Sequence, residues 1–178
     1  MKYFMISTLP ESDARAQKAV RGFMEAKKDT EIAYTDTYRL GACIGCMNCW
    51  LKTPGICCLK DDWALLFKKI LKADCVIFLT EAKLGFVSFK LKNVVDRLIP
   101  LVLPYTEIRQ GEARHSGRYE KRWRFGLVYA GDGDQAFLRE WMERLALNFR
   151  SDSIGTYNIN ESGELLRELE YIQLLSEA

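Results

Sequence analysis

Long apolar runs, net charge and internal repetition are all in short supply in this chain. No stretch approaches the length needed to span a membrane. Lys and Arg, 26 in all, nearly balance 24 Asp and Glu, and the resulting net charge of +2 gives no general attraction to nucleic acid or to an anionic membrane. No repeat, low-complexity segment or linker divides the chain, so 1–178 is expected to form a single domain. The apolar stretch in Met1–Ser7 is too short for a secretory signal and runs straight into polar sequence, so a cytoplasmic location is expected. What is present suits a globular protein. Hydrophobic residues make up 48% and charged residues 28%, enough for a core that needs no disulfide staples. The cysteines are the unusual feature: five of the six lie between Cys43 and Cys58, and only Cys75 stands apart.

The hydrophobic pattern alternates between strand and helix. Lys2–Ser7 reads as a strand, and Ser12 or Asp13 can cap a helix through Lys28 that carries Ala16, Ala19, Val20, Phe23 and Met24 on its apolar face. Glu31–Thr35 reads as the second strand. Asp61-Asp62 then opens a helix bearing Leu65, Leu66, Ile70 and Leu71. Cys75–Leu79 is a continuous apolar run, the mark of a strand buried on both faces, so Cys75 is expected in the core. Ser88 starts a helix that Pro100 ends. Leu101–Arg122 lacks periodicity and is expected to be a long loop. Phe125–Ala130 reads as a strand, Gly131-Asp132-Gly133-Asp134 as a turn into a helix ending near Asn148, Ser153–Ile159 as a last strand and Glu164–Leu175 as a closing helix.

Such alternation predicts an α/β fold with a mostly parallel sheet covered by helices on both faces. Ligands then sit beyond the carboxyl ends of the strands, where strand order reverses. The loops after Ser7, Thr80 and Ala130, with the cysteine loop after the second strand, are therefore the places to look.

Cys43, Cys46 and Cys49 are spaced by two residues each, and Cys57 or Cys58 can act as a fourth. Thiolates at that spacing can converge on one iron–sulfur cluster if the backbone is a tight loop. A regular helix would rotate them away from a common point, and Gly45 and Pro54-Gly55 make a loop feasible. Free thiols packed in the loop are the other reading. Zinc is disfavoured, because no second closely spaced pair follows and His115, the only histidine, is far along the chain.

The segment Leu40–Asp62, followed by Gly85-Phe86-Val87-Ser88, Leu91-Lys92 and Asp96-Arg97-Leu98, resembles the NADPH-dependent FMN reductases and their iron–sulfur flavoprotein relatives in the flavodoxin-like superfamily. His115, Arg118 and Tyr119 resemble part of that subgroup's long loop, and the likeness spans Tyr3 to Tyr129. The resemblance implies a flavodoxin-like three-layer sandwich with a five-stranded parallel sheet. It also implies FMN at the strand ends, electrons from NAD(P)H passed to a quinone, flavin or other small acceptor, and a homodimer. On the same basis the first flavin loop falls on Ser7, Thr8, Ser12 and Arg15. The second falls on Thr80, Glu81, Ala82, Lys83, Leu84, Gly85 and Ser88, with Gly131 and Asp132 from the turn after the next strand. A four-iron four-sulfur cluster would use Cys43, Cys46, Cys49 and Cys57.

The first loop departs from the family's usual Gly-Ser-Pro-Arg, and Glu11 and Asp13 are unfavourable neighbours for a phosphate dianion. In the second loop Gly85 lets backbone approach a flat ring. Lys83 is either a partner for negative charge on a reduced flavin or a solvated side chain. The basic stretch Arg109, Arg114, His115, Arg118, Lys121, Arg122 and Arg124 has two readings as well: a receptor for a dinucleotide phosphate or acidic partner, or a solvated loop at a dimer contact. No side chain is required as nucleophile or general base, so no catalytic residue is named. Two rival functions remain: an electron carrier with a cluster beside FMN, and a family member that has lost its flavin and works by binding.

Overall fold

The computed structural model describes residues 1–109 and 111–177. Five strands form one parallel sheet: β1 Tyr3–Ser7, β2 Thr30–Tyr34, β3 Cys75–Val87, β6 Arg124–Gly133 and β7 Asp152–Asn158. Their order is β2-β1-β3-β6-β7, so the winding reverses between β1 and β3. Ser7 is level with both Tyr34 and Leu79, and the three carboxyl ends open on one edge.

The central strands are apolar because both of their faces are covered. Along β1 and β3 the residues alternate between two cores. Phe4, Ile6, Val76 and Phe78 join α3 (Trp63–Lys72), α4 (Phe89–Asp96) and α5 (Gln135–Asn148) through Leu66, Ile70, Leu91 and Met142. Tyr3, Met5, Cys75, Ile77 and Leu79 join α1 (Ala14–Ala26) and α6 (Ser162–Glu177) through Ala16, Phe23, Leu165 and Leu169. This is the expected three-layer sandwich. Cys75 lies fully buried in it, and burial pushes its thiol up to about 12. No described helix is long and apolar enough to cross a membrane.

Four expectations need correction. Leu101–Arg122 is no loop but carries an antiparallel hairpin of β4 Val102–Arg109 and β5 Glu112–Gly117. It escapes sequence reading because much of β4 is exposed, so no alternation of apolar and polar residues marks it. The chain after Thr80 is likewise not a plain loop. β3 continues to Val87 through a bulge between Ala82 and Gly85. The Gly131–Gly133 turn is the end of β6, paired with that extension, and only Asp134 behaves as the expected cap, accepting from the Phe137 amide at 3.0 Å. Lastly, α4 stops at Asp96, and Pro100 sits in a separate 3-10 turn, Ile99–Leu101.

Candidate functional site

The first loop joins β1 to α1 and is closed upon itself. Asp13 is the N-cap of α1. Its Oδ1 accepts from the amides of Arg15 (2.8 Å) and Ala16 (3.3 Å), and its Oδ2 accepts from the Arg15 guanidinium at 2.6 Å. The Arg15 hydrogen bonds hold the Asp13 carboxyl down at about 2, so it is charged at any ordinary pH. Ser7 turns inward to donate to the Leu9 carbonyl. Thr8 donates to Thr80 at 2.8 Å and lies 3.3 Å from the Ser88 hydroxyl, while Thr80 and Ser88 are 2.9 Å apart. Three hydroxyls, one from the first loop, one within β3 and one at the end of β3, thus satisfy one another, with Thr8 and Thr80 buried. Ser12 is exposed at the turn.

The second loop shows its tip to solvent. Leu84 (φ 52°) and Gly85 (φ 78°) are both left-handed, and Leu84 is 97% exposed. A leucine seldom adopts that conformation. The turn is held from behind by β6, where Asp134 N donates to the Gly85 carbonyl and Gly131 packs against Ala82. A Cβ on Gly131 would lie 2.6 Å from the Ala82 oxygen, so glycine is required there. Lys83 pairs with Glu81 at 3.2 Å, which favours the solvated reading of that lysine. Between the two loops lies a cleft of about 520 Å³, a size suited to a small organic ligand. Thr8, Asp13, Arg15, Glu81, Lys83 and Ser88 line it. Gly131 and Asp132 do not; Gly131 pairs with Ala82 and so braces the second loop from behind. A larger cavity, about 970 Å³, lies between α1 and α6 and includes none of the second-loop residues.

The cysteine loop is non-helical where the spacing required it. Gly45 and Met47 are left-handed, only Asn48–Leu51 forms a short helix (α2), and Gly55 turns the chain back. One buried arginine ties it down. Arg97 donates to the Gly41 carbonyl at 3.0 Å, to both Asp61 oxygens at 2.5 and 2.9 Å, and to Cys57 Sγ at 3.3 Å. Burial pushes the Asp61 carboxyl up, but hydrogen bonds from Arg97, Gly41 and Trp63 outweigh it and hold it below the usual range. Cys46 touches Cys58 at 3.3 Å. The Asn48 amide and Cys58 lower the Cys46 thiol, the same contact raises Cys58, and burial raises Cys49. Among the described residues no three His, Cys, Asp or Glu side chains are arranged to hold a metal ion. As placed, Cys43, Cys46, Cys49 and Cys57 therefore form no cage for a cluster.

The hairpin backs this loop. Trp50 Nε1 donates to the carbonyls of Ile99 and Val102, and its ring lies 4.9 Å from that of His115. The basic stretch is largely spoken for: Arg109 pairs with Glu107, Arg114 with Glu112, Lys121 with Asp74 and Arg122 with Asp152. Arg118 holds the Pro100 carbonyl at 2.9 Å. These contacts favour a structural role over phosphate recognition.

No family model matches the chain. It is 32% identical over 105 residues to an iron–sulfur flavoprotein of Methanocaldococcus jannaschii, a match that covers 57% of this chain and 53% of that protein. The chain thus matches about half the length of that curated relative. Among solved structures, an NAD(P)H:quinone oxidoreductase from Methanothermobacter marburgensis superposes with a TM-score of 0.64 at 13% identity, covering 94% of this chain and 95% of that one. A flavone reductase does so at 0.60 and 16% identity, covering 94% of this chain and 59% of the other. The fold is flavodoxin-like, with an iron–sulfur flavoprotein as homologue. At these identities the solved structures speak for the fold alone.

A flavodoxin-like chain raises the question of whether its residues fit FMN. The cleft does lie at the strand-order reversal, and both predicted loops line it. Its phosphate end does not fit as folded. The amides of Thr8, Asp13, Arg15, Ala16 and Gln17 all have acceptors within the protein, and Asp13 stands where an anion would cap α1. The sequence had flagged the charge of Asp13. It had not shown the closed hydroxyl triad or the Arg97–Asp61 clamp, whose members are brought together only by the fold.

Proposed function

We propose that this chain is a flavin-dependent oxidoreductase, passing electrons from NAD(P)H to a quinone, a free flavin or another small acceptor. The observation that carries this reading is the cleft between the first and second loops, at the carboxyl ends of β1 and β3 where such folds receive ligands. The flavoprotein homologue supports it. A bound flavin would supply the hydride and electron chemistry, and the protein would supply shape and charge. The Thr8–Thr80–Ser88 knot fixes the separation of the two walls. The Leu84-Gly85 turn offers backbone to a flat ring with little side-chain obstruction. Glu81, shared by Arg15 and Lys83, keeps the cleft close to neutral. The exposed apolar side chains of Leu84, Phe89 and Phe137 around that wall support a homodimer, and we take its protomers to be single-domain and cytoplasmic.

The test is reduction of a quinone by NADH or NADPH with purified protein and added flavin. Flavin-dependent turnover above the uncatalysed rate is expected. Protein that is colourless, quenches no flavin fluorescence and accelerates nothing overturns the proposal and favours the flavin-free binding reading. A second reading, an iron–sulfur electron carrier, is favoured by the iron–sulfur flavoprotein homologue and by the five cysteines of the loop, which would have to rearrange to hold a cluster. Iron and acid-labile sulfide measured after anaerobic purification decide it.

A further inference from the structure

We propose that the cleft selects a flavin whose ribityl chain ends in a neutral hydroxyl, riboflavin, over one that ends in a phosphate. The inference rests on the flavin reading above and narrows it. Phosphate recognition in a strand–loop–helix site needs free backbone N–H groups at the helix start, hydroxyls turned toward the ligand, and no competing anion. Each requirement is compromised here by a separate observation.

The first helix amides are taken by the protein's own carboxylate: Asp13 accepts from Arg15 N and Ala16 N, and the Asp13 carbonyl accepts from Gln17 N at 2.9 Å. The hydroxyls are closed on one another in the Thr8–Thr80–Ser88 knot, and Ser7 is spent on the Leu9 carbonyl. Two of the three cations lining the cleft are paired as well, and the third, Lys90, is exposed at its rim. Arg15 grips Asp13 at 2.6 Å and approaches Glu81 at 3.8 Å, and Lys83 holds Glu81 at 3.2 Å. A phosphate entering the cleft would meet Asp13 and Glu81 with their counter-charges already engaged. To reach the Arg15 and Ala16 amides it would have to displace the Asp13 carboxylate. A neutral hydroxyl carries no such penalty, because it can donate to either carboxylate.

The pair titration uses the full chain with riboflavin and FMN under identical buffer, following quenching of flavin fluorescence. Riboflavin is expected to bind at least about tenfold more tightly than FMN, the scale of one uncompensated charge contact near a protein surface. Asp13→Ser keeps a capping hydroxyl but removes the charge. It should tighten FMN severalfold relative to riboflavin, narrowing the gap between the two, with a thermal melt showing that the variant folds. Should that variant fail to fold, Glu81→Gln probes the same repulsion from the other wall and should narrow the gap in the same direction. FMN binding as tightly as riboflavin in the unaltered protein overturns the inference and leaves the flavin reading standing. A gap that neither variant narrows also overturns it. Failure of both flavins to bind overturns the flavin reading itself, and this inference with it.

Discussion

The cleft and the cysteine loop are held in opposite ways. The cleft is secured by many modest bonds spread over three loops: a carboxylate cap, a hydroxyl triad, and a turn braced by a neighbouring strand. The cysteine loop hangs largely from one buried guanidinium, which reaches Gly41, Cys57 and Asp61 together. Distributed bonding lets a site lose one member and keep its shape. A single buried anchor concentrates the cost in one residue. The firmly held part of this molecule is its ligand cleft, and the cysteines stand on a support one substitution can remove.

The largest expected effect comes from breaking that support. Arg97→Met leaves the half-buried Asp61 without its partner and should destabilise the protein by about 3 kcal/mol, measured by urea unfolding. The Asp61 carboxyl is lower in the folded protein than when free, so its contribution is present at neutral pH and disappears as acid titrates it. The gap between Arg97→Met and the unaltered protein should therefore shrink as pH falls below about 4. Gly131→Ala comes next. It places a Cβ against the Ala82 oxygen at a left-handed position and should cost about 1–3 kcal/mol while loosening the second loop.

Thr80→Val opens the hydroxyl triad and leaves Thr8 and Ser88 to find other partners, a loss of about 1–2 kcal/mol by the same measurement. Asp13→Ala removes only the cap, about 1 kcal/mol. Because the carboxyl titrates near 2, that cap should persist down to about pH 4 and vanish only in strong acid. Leu84→Asp marks the lower bound. At 97% exposure it should change stability by less than about 0.5 kcal/mol, and any effect should appear in self-association on a sizing column. A cleft variant costing more than Arg97→Met would break the comparison.

How much of this was legible follows from where each interaction is encoded. The buried strands announced themselves because both faces of β3 are covered, which forces a continuous apolar run at Cys75–Leu79. Helix caps were legible at Asp13, Ser88 and Asp134 because a cap lies within three residues of the amides it serves. The hairpin was not, since only Val102 and Arg114 in its strands are buried and no alternating pattern results. In the candidate site, the charge of Asp13 could be read directly, and so could the opening at Gly85. The triad joins Thr8 to Thr80 and Ser88 across more than 70 residues, and Arg97 reaches back 36 residues to Asp61. No local pattern encodes partners that distant; only the reversal of strand order between β1 and β3 brings the triad together.

The central claim is that a cleft at this reversal holds a flavin by its ring and refuses its phosphate. Equilibrium titration of the unaltered protein with riboflavin and FMN, side by side, tests it most directly. The account predicts saturable one-to-one binding of riboflavin and FMN binding weaker by about tenfold or more. FMN bound more tightly than riboflavin would contradict it.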